Sequence, residues 1–302
     1  MTASTSTHRT TISDYFSLIK FSHTVFALPF ALVGFFLAVW HNGYPFEWRL
    51  LLLVVLCMVF ARTSAMAFNR YSDRKLDARN ERTRKREIPS GRIRAGAALA
   101  LSLSAAAMFV LTTWFINPLC FYLSPVALAI ILGYSYTKRF TAWSHFVLGL
   151  GLSLAPVGAY LAVAGVFSAL PIMLAAAVLF WVAGFDIIYA LQDTEFDREQ
   201  RLKSVPALAG NTGALVLSSL MHGLTAAALV AAGILGGFGY LYWMGAGAFV
   251  FMLIYQHTLV KPRDLRRVNA AFFTANGIAS VIFAAFAIAD LWRSYDGSGI
   301  SN

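Results

Sequence analysis

Two groups of aspartates stand at helical spacing in this chain. In the segment from Asn69 to Asp77, the polar residues Asn69, Asp73 and Asp77 recur at every fourth position, which stacks them on one face of a helix. In the segment from Asp186 to Asp197, Asp193 and Asp197 follow Asp186 at offsets of 7 and 11 and return to nearly the same angle. Asp186 is then the deepest of three carboxylates on one side of a helix and its extension. One acid pair at this spacing is common on a solvated loop, whereas two pairs that meet would repel unless cations neutralise them. Oxygen-only ligands favour Mg²⁺ or Ca²⁺ over zinc. Mg²⁺ prefers one or two carboxylates together with waters and phosphate oxygens, so the natural third partner is a diphosphate.

Cations surround these acids: Arg62, Arg70, Arg74, Lys75, Lys138, Arg139 and Lys203. Arg62 lies seven residues before Asn69, two turns away on the same face and within an apolar run, where an arginine needs a partner. In the basic stretch from Asn80 to Arg94, Arg82 and Arg86 are candidates for phosphate contact. Arg84, Lys85, Arg92 and Arg94 read as topogenic charge attracted to anionic lipid. Tyr134 and Lys138 are one turn apart, a spacing that suits either a site or an interfacial anchor. Carboxylates that hold metal beside Arg and Lys that hold phosphate form the set that a departing diphosphate requires.

The elements that must position these groups are membrane helices. Of 302 residues, 59% are hydrophobic and 13% charged, and the mean hydropathy is +0.66, values that point to lipid as the solvent. Apolar stretches fall near 22–40, 48–68, 95–114, 119–137, 143–164, 168–190, 212–234, 240–259 and 269–290. The fold expected is an all-α integral membrane protein, a bundle of nine transmembrane helices in a single domain over 1–302. The connections alternate between nearly uncharged and strongly basic. By the positive-inside rule the basic ones, with Arg9 and Lys20, face the cytoplasm of a bacterial-type inner membrane. That assignment gives a short cytoplasmic N-terminal segment over 1–20 and cytoplasmic loops over 70–94 and 191–211 carrying the two aspartate motifs. The net charge of +10 then sets topology rather than nucleic-acid binding. Cys57 and Cys120 lack the spacing of a zinc site, and no signal peptide is expected.

Over nearly its whole length the chain resembles the UbiA superfamily of intramembrane aromatic prenyltransferases. The first motif of that family, Asn-Asp-x-x-Asp-x-x-x-Asp, is similar to Asn69-Arg70-x-x-Asp73-x-x-x-Asp77. Its second is matched by Asp186-x-x-Tyr189-Ala190-x-x-Asp193-x-x-x-Asp197, and a Tyr-x-x-x-Lys motif by Tyr134 and Lys138. Arg70 replaces the first aspartate, so the resemblance implies metal binding by Asp73, Asp77, Asp193 and Asp197 only, with Asn69 in support. Lys20-Phe-Ser-His23, Arg82-Thr83 and Arg86-Glu-Ile-Pro look like the 4-hydroxybenzoate polyprenyltransferase branch, which includes menaquinone-pathway relatives that act on a dihydroxynaphthoate.

The resemblance implies that Mg²⁺ grips the diphosphate of a polyprenyl donor while Arg62, Lys138, Arg139 and Lys203 neutralise its growing charge. The allylic cation so formed must meet a small aromatic acceptor in a dry, lipid-surrounded bundle. Asp73, Asp77, Asp186, Asp193 and Asp197 are the candidate catalytic acids. Arg62, Asn69, Arg82, Arg86, Tyr134, Lys138, Arg139, Tyr189 and Lys203 are the candidate diphosphate contacts. Lys20 or Arg62 would hold the acceptor's carboxylate, and His23 and His145 are further possible proton acceptors. A secondary transporter is the alternative from another class, although transporters place such groups near the bilayer midplane.

Overall fold

The computed structural model describes residues 10–20 and 26–297, so Arg9 and His23 lie outside the described residues. The chain opens with α1 (Ile12–Ile19), whose N-terminus is closed by a capping box in which Thr11 and Asp14 bond each other reciprocally. This helix was not expected. It lies inside the polar N-terminal segment and packs Leu18 against Ala67, Ile93 and Ala98.

The apolar helices follow: α2 (Leu28–Phe36), prolonged by a π turn over Leu37–His41, then α3 (Trp48–Arg79), α4 (Ala95–Trp114), α5 (Pro118–Thr137) and α6 (Ser144–Ala164). Next come α7 (Ala169–Ala190), the short α8 (Thr194–Glu199), α9 (Val205–Leu235), α10 (Tyr240–Leu259) and α11 (Asn276–Gly297), the last led by a π turn over Ala270–Ala275. No strand occurs among the described residues. Consecutive long helices are neighbours, and α11 returns to α2, which closes the bundle. Seven of these helical segments are long and apolar enough to cross a membrane, and Leu28–His41 is apolar but shorter.

The outer surface is built for lipid. Leu52, Leu103, Leu220, Ile234, Phe251 and Ile254 are exposed, whereas Trp48, Trp114, Trp143 and Tyr240 lie exposed at helix ends, where amphipathic rings favour the headgroup level. The interior is aromatic: Phe30, Trp181, Phe185, Phe249 and Phe283 are each almost fully buried and packed mainly edge to face. Small residues let backbones approach closely. A Cβ on Gly34 would lie 2.1 Å from the Pro156 carbonyl oxygen, and one on Gly149 would lie 2.4 Å from that of Leu179. The small residues of α6 thus serve packing.

Length explains how the first motif is displayed. α3 has 32 residues, about 48 Å at 1.5 Å per residue, against a hydrocarbon core of about 30 Å. Its last turns therefore project beyond the apolar zone and carry Asn69 to Asp77 on regular helix. The expected loop over 70–94 is in fact helix to Arg79 and irregular only from Asn80. Likewise the expected loop over 191–211 holds a 3₁₀ turn at Leu191–Asp193, α8 and the start of α9. α9 breaks at Gly210, where φ of 69° and ψ of 174° require glycine.

Candidate active site

The two motifs meet at one end of the bundle, and each metal-candidate carboxylate there is matched by one cation from another part of the chain. Arg86 Nη1 bonds Asp77 Oδ1 at 2.8 Å, and Arg139 Nη2 bonds Asp73 Oδ1 at 3.0 Å. Arg82 holds Asp193 through two nitrogens, with Nε to Oδ1 at 3.0 Å, and its Nη1 donates to the Tyr189 hydroxyl at 3.0 Å. Lys138 Nζ lies 2.7 Å from Asp197 Oδ1. Burial works against the charge of Arg82, but its bonds to Asp193 and Tyr189 outweigh that and hold its pKa above the ordinary guanidinium value.

Local structure sets these pairs. The Asn80 side chain accepts from the Arg82 backbone N–H at 2.9 Å and donates to Asp193 Oδ1 at 2.9 Å, so one residue both turns the loop and ties it to the second motif. Asn69 Nδ2 donates to Asp73 Oδ2 at 3.0 Å across one turn of α3. The 3₁₀ turn after α7 tightens the chain between Asp186 and Asp197, so the three acids do not stand on one uninterrupted α-helix as their spacing predicts.

The pairing is incomplete in a telling way. Asp197 is fully buried, and apart from the Lys138 ammonium beside Oδ1 neither of its oxygens has a hydrogen-bond partner; Asp77 Oδ2 is also buried and without a partner. Buried carboxylate oxygens left open are suited to a hard cation. Among the described residues no three acidic, His or Cys side chains converge on one point, so a cation here would have to complete its shell with ligand oxygens or water.

Comparison with known proteins gives this geometry its family. Residues 27–278 match the UbiA prenyltransferase family. The chain belongs to that family. It is 31% identical over 246 residues to a 4-hydroxybenzoate octaprenyltransferase of Paraburkholderia phytofirmans, covering 82% of this chain and 85% of that protein. A protein of the same name from Aliivibrio fischeri is 30% identical over 84% of this chain and 88% of its own. The structure is similar to the apo structure of a UbiA homologue from Aeropyrum pernix, with a TM-score of 0.80, 33% identity, and coverage of 89% of this chain and 98% of that one. It shares its fold with a UbiA homologue of Archaeoglobus fulgidus solved with GPP and Mg²⁺, at a TM-score of 0.71 and 20% identity over 92% of this chain and 99% of that one. This UbiA protein is therefore an integral membrane enzyme, a polyprenyltransferase.

Other predicted residues of the UbiA chain are placed less uniformly. Lys203 is brought to the site only through its backbone, whose N–H bonds the Lys138 carbonyl at 2.8 Å, and its side chain stays exposed. Arg74 turns to the Tyr71 ring, at 4.3 Å from its centroid. Arg62 donates to the Lys20 carbonyl at 3.1 Å. Arg92, read from sequence as lipid-facing charge, instead pairs with Asp14 of α1 at 3.1 Å and with Glu87 at 3.6 Å.

Asp186 has the partner that spacing did not reveal. His145 Nδ1 is 2.7 Å from Asp186 Oδ2, and the Val205 backbone N–H donates to His145 Nε2 at 3.4 Å. With Nε2 accepting, Nδ1 carries the proton and donates to the carboxylate. His145 lies in the first turn of α6, forty-one residues before Asp186, and the sequence offered it only as one of two histidines that could accept a proton.

Proposed function

We propose that the protein transfers a polyprenyl group from its diphosphate to 4-hydroxybenzoate in a Mg²⁺-dependent step of quinone biosynthesis. The observation that supports this most is the four-to-four pairing of aspartates with cations, two of whose acids keep buried oxygens open. A metal–diphosphate complex of the donor can replace these pairs directly, with its cation meeting the carboxylates and its phosphate oxygens meeting the freed guanidinium and ammonium groups. Names borne by relatives supply the acceptor and the donor class.

The residues would divide the work as follows. Asp73, Asp77, Asp193 and Asp197 would hold Mg²⁺, with Asn69 fixing Asp73. The metal supplies charge neutralisation at the departing diphosphate. Arg82, Arg86, Lys138 and Arg139 would bind phosphate oxygens, with Tyr189 and Tyr134 beside them and Lys203 at the rim. Asp186, oriented by His145, stands deeper, toward the aromatic interior in which the prenyl chain would lie. That interior excludes water from the allylic cation, and its ring faces favour positive charge. Around this site we read one polytopic domain of nine spanning helices in a bacterial inner membrane, with the basic connections and the site on the cytoplasmic side. Among the described residues each of the nine apolar stretches contains a helix, and placement of the polar groups at one end rather than mid-bundle argues against transport.

The test is transfer from a radiolabelled polyprenyl diphosphate in lipid vesicles, with 4-hydroxybenzoate or a dihydroxynaphthoate as acceptor, with and without Mg²⁺. Mg²⁺-dependent prenylation of 4-hydroxybenzoate that disappears in Asp73→Ala and Asp193→Ala is the expected result. Exclusive use of the naphthoate would reassign the acceptor, and turnover in chelator would refute the metal.

A further inference from the structure

Beside the second aspartate motif lies an open cavity of about 540 Å³, lined by the 3₁₀ turn after α7, α8, the broken start of α9 and the α10–α11 connection. None of the four paired aspartates lines it, so it is not the candidate active site. Side-chain bonds fix its walls. Asn211 Nδ2 donates to the Pro262 carbonyl at 2.9 Å, and Asn211 Oδ1 accepts from Thr194 Oγ1 at 3.4 Å, so one side chain ties α8, α9 and the α10–α11 connection together. Arg198 Nε donates to the Ala207 carbonyl at 3.0 Å, which lays its guanidinium along the break in α9, with Nη2 4.0 Å from where a Cβ on Gly210 would stand. Arg263 lines the cavity from the α10–α11 connection and, among the described residues, makes no hydrogen bond or ion pair.

Two guanidinium forks from separate elements, with the Gln192 amide and the Thr212 hydroxyl in the same lining, are donors suited to the oxygens of a phosphate. Glu195 is the one carboxylate among the described lining residues, so two arginines against one glutamate leave a net positive charge, and Glu195 is an acceptor for a hydroxyl of the ligand. The connection adds more: Lys261, Arg266 and Arg267 are exposed there, and its one acid, Asp264, is spent on Arg266 at 2.7 Å. An anion that also carries hydroxyl groups balances this set. The helix surface leading away from the cavity indicates what carries that anion. Thr212, Val216 and Leu220 follow at four-residue spacing on one face of α9; Thr212 lines the cavity, and Val216 and Leu220 are exposed on the apolar exterior. On α10, which ends at the same connection, Phe251 and Ile254 are likewise exposed. A phosphate held at Thr212 is therefore continuous with a lipid-facing ridge along which an acyl chain can lie.

We propose that this cavity binds the phosphodiester headgroup of an anionic, hydroxyl-bearing phospholipid, with Arg198 and Arg263 on the phosphate, Glu195 on the hydroxyls and the acyl chains along Val216 and Leu220. The proposal goes beyond the prenyl-transfer reading and does not depend on it. Its consequence for the site is mechanical. α8 carries the chain from Asp193 to Asp197, so a headgroup that bridges α8 to the α10–α11 connection braces the second motif from outside, and a lipid that binds only the folded chain stabilises it by mass action.

The experiment is calorimetric titration of the full-length protein in a neutral detergent with four probes: short-chain phosphatidylglycerol, phosphatidylethanolamine and phosphatidylcholine, and inorganic phosphate. Phosphatidylglycerol should bind saturably and about tenfold tighter than either zwitterionic lipid. Inorganic phosphate, which lacks the chains, should bind more weakly still. In Arg263→Gln, which has no internal bond to lose, affinity for phosphatidylglycerol should fall about tenfold, the loss of one charge-assisted contact. Arg198→Gln should match it, whereas Arg267→Gln, which removes the same charge from the same connection outside the cavity, should bind as the wild type does. Equal loss in Arg267→Gln would overturn the proposal in favour of a diffuse basic surface, and inorganic phosphate binding as tightly as the lipid would overturn it in favour of a free-anion site. Equal affinity for the three lipids, or no saturable binding, would overturn it outright. Should Arg198→Gln fold poorly for want of its bond to Ala207, the contrast between Arg263→Gln and Arg267→Gln decides alone.

Discussion

At mid-bundle, Trp181 Nε1 donates to Asn276 Oδ1 at 2.7 Å, Asn276 Nδ2 donates to Gln256 Oε1 at 3.1 Å, and Gln256 leads to His222, whose Nδ1 lies 2.8 Å from His257 Nε2. At the motif end, buried oxygens of Asp77 and Asp197 and the buried nitrogens of Arg62 and Arg70 have no such partners. Both regions join three or more helices through buried polar side chains. The first is a nearly closed chain of neutral groups, open only at His222 Nε2, and it fixes α7, α9, α10 and α11 against one another. The second is a set of charges in exchangeable pairs. Satisfied networks rigidify a core, whereas unsatisfied charges mark the place a ligand must complete.

The largest effect should come from removing a charge at the motif end. Asp197→Asn replaces a fully buried carboxylate with its neutral isostere, and Lys138, about one third exposed, can turn to water. Transfer should fall about a hundredfold or more, the scale of losing one electrostatic contact in an active site. The melting temperature should change little. Radiolabel transfer and thermal unfolding measured on the same preparation check both halves, and a large loss of stability with normal turnover would reverse the distinction between the two regions.

A substitution at mid-bundle should do the opposite. A Cβ on Gly184 would lie 2.4 Å from His222 Nε2, so Gly184→Ala must displace the ring and its bond to His257. Overpacking of this kind costs about 1–3 kcal/mol. The variant should melt at lower temperature, and Gly184→Ala with His222→Ala should recover part of the loss because the obstructing ring is gone. Recovery in the double variant, followed by thermal unfolding in detergent, separates overpacking from any contribution of the neighbouring Asp186.

The two regions were not equally legible in the sequence. The motif end declared itself because Asp73, Asp77, Asp193 and Asp197 must be presented on helices, and helical spacing is a local property. The partners of those acids are tertiary. Nothing in the spacing says that Arg82 reaches Asp193 rather than a free phosphate, or that His145 backs Asp186, because each pair joins segments brought together only by packing. The mid-bundle chain was silent for the same reason: Trp181, His222, Gln256 and Asn276 are isolated polar residues in apolar runs. α1 escaped because it has only eight residues and holds by docking Leu18 rather than by an apolar run of its own. Arg92 was misread because its acids, Asp14 and Glu87, are far from it in sequence or outwardly part of the same basic loop.

The smallest effect, and the one that sharpens the comparison most, is a pH dependence at Lys20, which feels the charge of the buried Arg70. Desolvation of the ammonium and the charge of Arg70 hold the pKa of Lys20 below that of an ordinary lysine. A lowered pKa in a base means that its positive charge is present below that pKa and is lost as pH rises through it, earlier than in a free lysine. A carboxylate bound nearby favours the charged form, so by linkage its affinity should be highest below this pKa and decline severalfold above it. A methoxybenzoate, which has no phenolic proton to titrate in the same range, is the probe. Its dissociation constant should rise through the alkaline region in the wild type and stay level in Lys20→Arg. In Arg70→Gln the inflection should move upward toward the ordinary lysine value, because the repelling charge is gone. An inflection that stays where it is in both variants would remove Lys20 from the site, and one that responds to Lys20→Arg but not to Arg70→Gln would separate Lys20 from the buried guanidinium pair.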